Sequence, residues 1–244
     1  MKDILSDIVA HTNKLGFLNI VKVIGTEETT QIESMADDRT VVMYAETSNP
    51  YPDMIGTFGM PQLDKLRYLV DGKEYQDNAK IDVIKETRNG AVIPTKLHFE
   101  NKDGDFKNDY NFMNQEIINE KLKTVKFRGA NWHVEVTPSI QAVQRFNFQA
   151  GANTEHTTFI AKTDGDKLIF TFGDAGSHNG EFTFATGITG KITKAWSWPV
   201  SPVMSILKIA DTNNTVISFS NDGAMQITLD SGLATYKYII PANA

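Results

Sequence analysis

One order of sequence patterns occurs twice along the 244 residues: a helix, a set of strands, a second helix and a second set of strands. Apolar residues spaced three and four apart indicate the helices, and short runs rich in Val, Ile and Thr indicate the strands. Turn pairs such as Asn89-Gly90, Asp164-Gly165 and Asp222-Gly223 join neighbouring strands into hairpins. The pattern predicts an α+β fold of two similar domains, each with two helices packed on antiparallel sheets.

Four helices are predicted, and three of them have a proline near their start, where its missing N–H costs nothing. The first carries Ile4, Leu5, Ile8, Val9 and Leu15 on one side and Asp3, Ser6, Asp7, Ala10 and Lys14 on the other. The second runs from Pro61 to Val70. The third opens at Thr137-Pro138 with Ile140, Val143 and Phe146 on one face, and the fourth opens at Ser201-Pro202 with Val203, Met204, Leu207 and Ala210 inward.

The strand-like runs separate the helices and divide between the two copies. They lie at 17–24, 29–34, 39–46, 80–86, 92–100 and, as an edge strand, 108–112, then at 124–128, 132–136, 158–163, 167–173, 181–186, 215–219, 224–229 and 234–240. We therefore expect one domain over residues 1–110, a polar connector over 111–123 and a second domain over 124–244.

The sequence lacks the residues and motifs that several classes of enzyme and metal site require. There is no cysteine, no P-loop, no G-x-S-x-G and no H-E-x-x-H, and the five histidines have no metal-ligand spacing. We therefore predict that the protein is not an enzyme and needs no metal or cofactor. The start of the chain carries Asp3 and Asp7 and lacks a long apolar run, so we expect neither a signal peptide nor a membrane span, and a cytoplasmic location.

The end of the chain carries the most specific pattern. Residues 234–241, Ala-Thr-Tyr-Lys-Tyr-Ile-Ile-Pro, form an aromatic-rich strand that leads into an apolar-Pro tail, and Met225-Gln-Ile-Thr-Leu precedes it as a hairpin strand. With the alternating hairpin over 158–173 and the duplicated layout, the chain resembles the DNA sliding clamp family. It is most similar in size and layout to the bacteriophage clamps, which have two domains per subunit.

The resemblance implies a polymerase processivity factor. Three copies would form a homotrimeric ring around double-stranded DNA, with the helices lining the hole and the sheets outside. A clamp loader would open the ring, and the ring would tether the replicative DNA polymerase during DNA replication. If the protein is viral, it would act in the cytoplasm of the host cell. A ring that slides needs weak backbone contacts and no base readout.

The resemblance assigns DNA contact to the exposed helix faces. The candidate cations are Lys14, Lys65, Arg67, Arg145 and Lys208, and they share those faces with Asp3, Asp7, Asp64 and Asp71. Five cations against four acids make the lining barely positive, in a chain whose formal net charge is −6. The alternative is that these residues form solvated helix faces of a protein with no nucleic-acid role.

The resemblance also implies an apolar pocket that takes a peptide from a partner, at Ile239, Ile240 and Pro241 with Ile117 and Ile118 of the connector nearby. The alternative makes Ile239 and Ile240 ordinary strand residues, of which alternation would bury one and expose the other. Trp196 and Trp198 face one side of a strand and either anchor a partner or pack in the core just before the fourth helix. Packing is the favoured reading.

A second class of function fits the composition. Acidic, cysteine-free and hairpin-rich chains are also typical of structural virion proteins, such as those of a phage tail or baseplate. Such a protein has no need of a duplicated layout in which every helix has an inward face, so the clamp is the first hypothesis.

Overall fold

The computed structural model describes residues 1–88, 90–123, 127, 129–174 and 176–243, with only the backbone described for Arg88. The chain divides into two compact units. Unit 1 comprises Met1–Arg39, Met43–Lys126 and Ser231–Tyr236, and unit 2 comprises Thr40–Val42, Phe127–Asp230 and Lys237–Ala244. The connector predicted at 111–123 falls inside unit 1, where part of it is helical.

The first half of the chain contains three helices and seven strands within its described residues. In chain order they are α1 (Lys2–His11), β1 (Val21–Gly25), β2 (Thr30–Met35), β3 (Val42–Thr47), β4 (Gly56–Met60), α2 (Leu63–Asp71), β5 (Lys80–Arg88), β6 (Ala91–Glu100), β7 (Lys107–Asn111) and α3 (Gln115–Lys121). Short 3-10 turns occupy Asn13–Leu15, Pro52–Met54 and Lys73–Tyr75.

Unit 1 has two sheets. The strands of one follow the order β4-β1-β2-β3, in which β1 pairs antiparallel with both neighbours and Val23 lies opposite Ile32 and Phe58. The other is the antiparallel sheet β5-β6-β7, with Leu97 opposite Tyr110. Helices α1 and α2 pack together and bury the apolar residues that their spacing predicts.

The second half contains two helices and eight strands within its described residues. These are β8 (Val134–Val136), α4 (Ile140–Ala152), β9 (Thr158–Asp164), β10 (Lys167–Phe172), β11 (Gly180–Thr186), β12 (Ser197–Pro199), α5 (Val200–Ile209), β13 (Thr215–Phe219), β14 (Ala224–Asp230) and β15 (Ala234–Pro241). A 3-10 turn covers Thr212–Asn214. In unit 2 one sheet has the order β11-β10-β9-β12, and the other runs β8-β13-β14 and on to β15.

An aromatic cluster fills the core of unit 2. Phe159 lies 5.1 Å from Phe146 and 4.8 Å from Phe170 between ring centroids, and Trp198 lies 5.3 Å from Phe219. Trp198 is fully buried, which confirms its predicted packing role. Trp196 donates from its Nε1 to the Asn221 carbonyl oxygen at 2.8 Å. The fold is therefore α+β with helices on antiparallel sheets, as predicted.

The differences from the predicted elements have local causes. β3 begins at Val42 instead of residue 39 because Arg39 adopts a left-handed φ of 61°, which cannot continue a strand. β4 and α3 were not predicted, and α3 gives unit 1 a third helix. Ile140 was predicted inward but is 66% exposed, because α4 turns Ala142 and Phe146 to the core. The strand predicted at 124–128 lies outside the described residues except for Phe127, as does Asn89 of the predicted turn.

No helix among the described residues is long and apolar enough to cross a bilayer.

Candidate DNA-facing and partner-binding surfaces

Helix α2 presents an exposed polar face in unit 1. Leu63, Leu66, Leu69 and Val70 are buried on one side. Asp64, Lys65, Arg67, Tyr68 and Asp71 are exposed on the other, as the helical spacing predicts. Tyr68 is 80% exposed, which is unusual for an aromatic side chain on a packed helix.

The cations of this face differ in their partners. Lys14, in the 3-10 turn after α1, lies 3.6 Å from Asp71, and Arg67 lies 3.9 Å from the same carboxylate. The structure therefore brings Lys14 and Arg67 together around one acid that partly neutralises both. Within the described residues Lys65 forms no side-chain hydrogen bond and no ion pair.

Asp7 does not belong to the exposed face, and its prediction there is wrong. Its side chain is 10% exposed, and Oδ2 accepts hydrogen bonds from the Tyr236 hydroxyl at 2.8 Å and the Ser231 hydroxyl at 3.0 Å. His11 Nδ1 lies 3.2 Å from Oδ1, and the His11 ring stacks on Tyr236 at 4.2 Å. Burial disfavours the charged form, but the contacts from His11, Tyr236 and Ser231 outweigh it and hold the pKa of Asp7 below its ordinary value of 3.8.

The helices of unit 2 carry cations without acids. α4 exposes Gln141, Gln144 and Arg145, and α5 exposes Ser201 and Lys208. Neither helix contains Asp or Glu. The two helices pack together, so Arg145 and Lys208 belong to one layer. Phe148 on α4 is 73% exposed.

The predicted partner-binding residue pair of unit 1 is split by burial. Ile118 of α3 is fully buried against β4, where a Cβ added to Gly59 would meet its Cδ1 at 2.8 Å. Ile117 is 44% exposed on α3, whose first turn is capped by the Asn114 side chain. Only Ile117 of this pair offers apolar surface to a ligand.

In unit 2, Ile239 and Ile240 are both buried, at 6% and 0% exposure. The predicted alternation of one buried and one exposed residue is therefore wrong. Consecutive strand residues point to opposite faces, so both faces of β15 are covered at this point. Pro241 is exposed. A partner-binding role for these five residues stays a prediction, with Ile117 and Pro241 as the accessible ones.

The open edges of the sheets were not predicted from the sequence, because the prediction considered individual side chains. β11 ends its sheet in unit 2 and β7 ends its sheet in unit 1, and neither has a second neighbouring strand among the described residues. An open edge presents unpaired N–H and C=O groups and is a template for pairing with another strand. Edges follow from sheet order, which the sequence pattern does not give.

Comparison with known proteins bears on the fold. No protein-family model matches the chain, and no curated protein sequence does. Among solved structures, a chain in the structure of the C-terminal region of FEN-1 bound to A. fulgidus PCNA is similar to this chain, with a TM-score of 0.70 and 12% sequence identity. The match covers the whole of this chain and 95% of that chain. PCNA from Thermococcus kodakaraensis gives 0.68 at 11% identity and covers the whole of this chain and 97% of that one. The chain therefore has the fold of PCNA sliding clamps over its full length.

Proposed function

We propose that this chain is one subunit of a DNA sliding clamp, a processivity factor that encircles duplex DNA and tethers a polymerase. The observation that carries the proposal is the end-to-end fold match with PCNA chains, which leaves neither chain with a large unmatched part. Two units that each expose a polar helix face are the parts that such a ring requires.

The charges support topological holding over adhesion. Of the three candidate cations of unit 1, Lys14 and Arg67 share Asp71, and the helices of unit 2 offer only Arg145 and Lys208. Phosphate neutralisation by so few cations gives weak, salt-sensitive binding. Weak contacts suit a ring that must slide. We assign backbone contact to Lys14, Lys65, Arg67, Arg145 and Lys208.

Ring closure is best supported through β7 and β11. A head-to-tail ring needs one edge from unit 1 and one from unit 2 of the next copy. In unit 2, β8 and β12 have only three residues each, whereas β11 has seven. In unit 1, the register of β5 is broken between Ile84 and Lys85, whereas β7 pairs without a break and ends its sheet. Three copies joined in this way would give six units around the hole.

The proposed partners are a DNA polymerase, a clamp loader and other copies of the chain. One of the similar structures contains the C-terminal region of FEN-1 bound to a PCNA, which supports a partner that docks by a terminal peptide. Ile117 and Pro241 are the accessible members of the proposed docking residues, whereas Ile118, Ile239 and Ile240 are buried. The chain would act as a non-enzymatic scaffold, in the cytoplasm of the host cell if it is a bacteriophage clamp with two domains per subunit.

A structural virion protein is the less favoured function. It accounts for the acidic, cysteine-free composition, but it gives no reason for a fold that matches PCNA over the whole chain. The virion hypothesis predicts the chain in purified particles.

Native mass measurement tests the assembly. We expect a species of three times the 27.2 kDa of one chain at micromolar concentration. Primer extension on a long template, with polymerase, loader and ATP, should give longer products without a faster single-nucleotide addition. A species of 27.2 kDa alone, with product lengths unchanged, would contradict the proposal.

A further inference from the structure

Three cations line one cavity of unit 1. The cavity has a volume of about 730 Å³ and its walls include Arg39, Lys65 and Lys121. Across the described ranges, none of the three side chains forms a hydrogen bond or an ion pair. We call this site the basic cavity.

Among the described residues of unit 1, Lys73, Lys102 and Lys123 also form no ion pair, but they do not line the cavity, and seven other cations of the unit are paired. Those that are ion-paired are Lys14, Lys22, Arg67, Lys80, Lys85, Lys96 and Lys107. Asp37 is the one acidic residue among the described walls of the basic cavity. An excess of two positive charges in one concave site, on a chain of net charge −6, favours an anionic ligand.

The backbone is constrained at two positions in the wall of the cavity. Arg39 and Gln62 adopt left-handed φ values of 61° and 51°, and both line the cavity. A non-glycine residue in that region costs about 1 kcal/mol or more and persists only when its surroundings fix it. The buried Tyr110 hydroxyl donates to the Pro61 carbonyl oxygen and so fixes the turn that leads into α2.

The walls are also partly apolar. Ile20, Met35, Phe112 and Met113 are half-buried there. Several side chains of a ligand fit into about 730 Å³, so the cavity is too large for a single inorganic anion. A nucleic acid is a less favoured ligand than a protein segment, because a nucleic-acid backbone binds along open basic grooves. A concave site with apolar walls is better suited to the side chains of a peptide.

We propose that the basic cavity receives an acidic segment of a partner protein. Carboxylates of the segment would pair with Arg39 and Lys121, and an adjacent apolar side chain would pack on Met35 and Phe112. None of the residues already proposed for docking, Ile117, Ile118 and 239–241, lines this cavity. The inference rests on the proposed function only in taking the partner to be a protein that the clamp recruits.

A peptide selection tests the inference on the full-length chain. A random twelve-residue library is selected on the wild-type protein in the presence of excess soluble Arg39→Asn/Lys121→Glu protein as competitor. Asn at position 39 tolerates the left-handed backbone, and neither residue is a proposed DNA contact. We expect the enriched peptides to contain Asp or Glu beside an apolar residue.

The matched comparison uses individual synthetic peptides. An enriched peptide should bind the double variant and the single variant Lys121→Glu at least ten-fold more weakly than wild type, and binding should weaken with added salt. Lys102→Glu, an exposed lysine elsewhere in unit 1, should bind as wild type does. Circular dichroism spectra and unfolding midpoints equal to wild type would show that the variants fold.

Three results would overturn the inference: no enrichment over the competitor, enriched peptides without acidic residues, or equal affinity for wild type and both variants. A fourth is that single-stranded or duplex DNA binding, and not peptide binding, falls in the double variant. If the peptide experiment fails but the protein still forms a trimer that encircles DNA, only the proposal for the basic cavity is refuted. If the peptide binds as expected but the chain stays monomeric, the proposed ring is refuted and the proposal for the basic cavity is supported.

Discussion

The exposed helix faces of the two units differ in how their charges are arranged. In unit 1, Lys14 and Arg67 lie beside Asp71, and Asp3 and Asp64 add further acid, so cations and carboxylates balance. In unit 2, α4 and α5 contain no acidic residue and expose Arg145 and Lys208. The comparison teaches that a chain of net charge −6 can still offer phosphate a favourable surface, since arrangement matters more than the sum.

Charge reversal in the two units gives the largest expected contrast. Arg145→Glu/Lys208→Glu should weaken binding to a short duplex roughly 50-fold at about 0.1 M salt, because each lost phosphate contact removes about 0.9 from the salt slope. Lys14→Glu/Arg67→Glu should weaken it less, since Asp71 already offsets those cations. Fluorescence anisotropy over a salt series measures both. Equal losses in the two double variants would break the comparison.

Unit 1 also has a largely buried carboxylate on α1, that of Asp7, for which α4 and α5 of unit 2 have no counterpart. Asp7→Asn should lower the free energy of unfolding by about 2 kcal/mol at pH 7, because the Tyr236 and Ser231 hydroxyls lose a charged acceptor. The pKa of Asp7 is lowered on folding, so its contribution is present above the unfolded value of 3.8 and is lost as pH falls through the folded pKa.

Urea denaturation at a series of pH values checks this result. The difference between wild type and Asp7→Asn should shrink below pH 3.8, where the wild-type carboxylate also becomes neutral. Asp3→Asn, on the exposed side of α1, is the control and should change stability little at any pH. A difference that stays constant down to pH 2 would mean that packing, and not charge, accounts for the loss.

Removing the acid that balances unit 1 should sharpen the comparison by a smaller amount. Asp71→Asn frees Lys14 and Arg67, so duplex binding should tighten roughly three-fold at low salt and return to wild type at high salt. Asp164→Asn, in the β9–β10 turn of unit 2, changes the net charge equally and should leave affinity unchanged. Equal tightening by both variants would indicate a general charge effect.

The smallest effects are expected at the exposed aromatic residues, one on a helix of each unit. Tyr68→Ser on α2 and Phe148→Ser on α4 should each change the free energy of unfolding by less than about 0.5 kcal/mol, because both side chains are already in water. Thermal unfolding measures this. A larger loss in either variant would mean that the side chain is covered in solution, as in an assembly.

The sequence predicted those parts of the fold that have a local signal. The hairpin of β9 and β10 follows from Asp164-Gly165 and alternation, and the buried side of α2 follows from apolar spacing. β4 was missed because Gly-Thr-Phe-Gly-Met has a weak strand pattern, although Gly59 is required there by the packing of Ile118. α3 was missed because it buries a single residue, Ile118, which is too little for a periodic pattern.

The candidate site depends more on distant contacts. The exposure of Lys65, Arg67, Arg145 and Lys208 could be predicted, since each lies on the polar side of its helix. The burial of Asp7 could not, because its partner Tyr236 is 229 residues away in the chain. The basic cavity was also beyond reach, since Arg39, Lys65 and Lys121 come from three separate elements that only the fold brings together.

Topological retention on DNA tests the central claim most directly. Because the chain contains no cysteine, pairs of introduced cysteines, one on β7 and one on β11 of the same chain, can be oxidised to a disulfide at each interface and so seal the ring once it has equilibrated with a nicked circular plasmid. The account predicts that the sealed protein survives a wash in concentrated salt on the circle and is released when the plasmid is cut once. Protein that leaves the intact circle in salt, or that stays on the cut DNA, would contradict it.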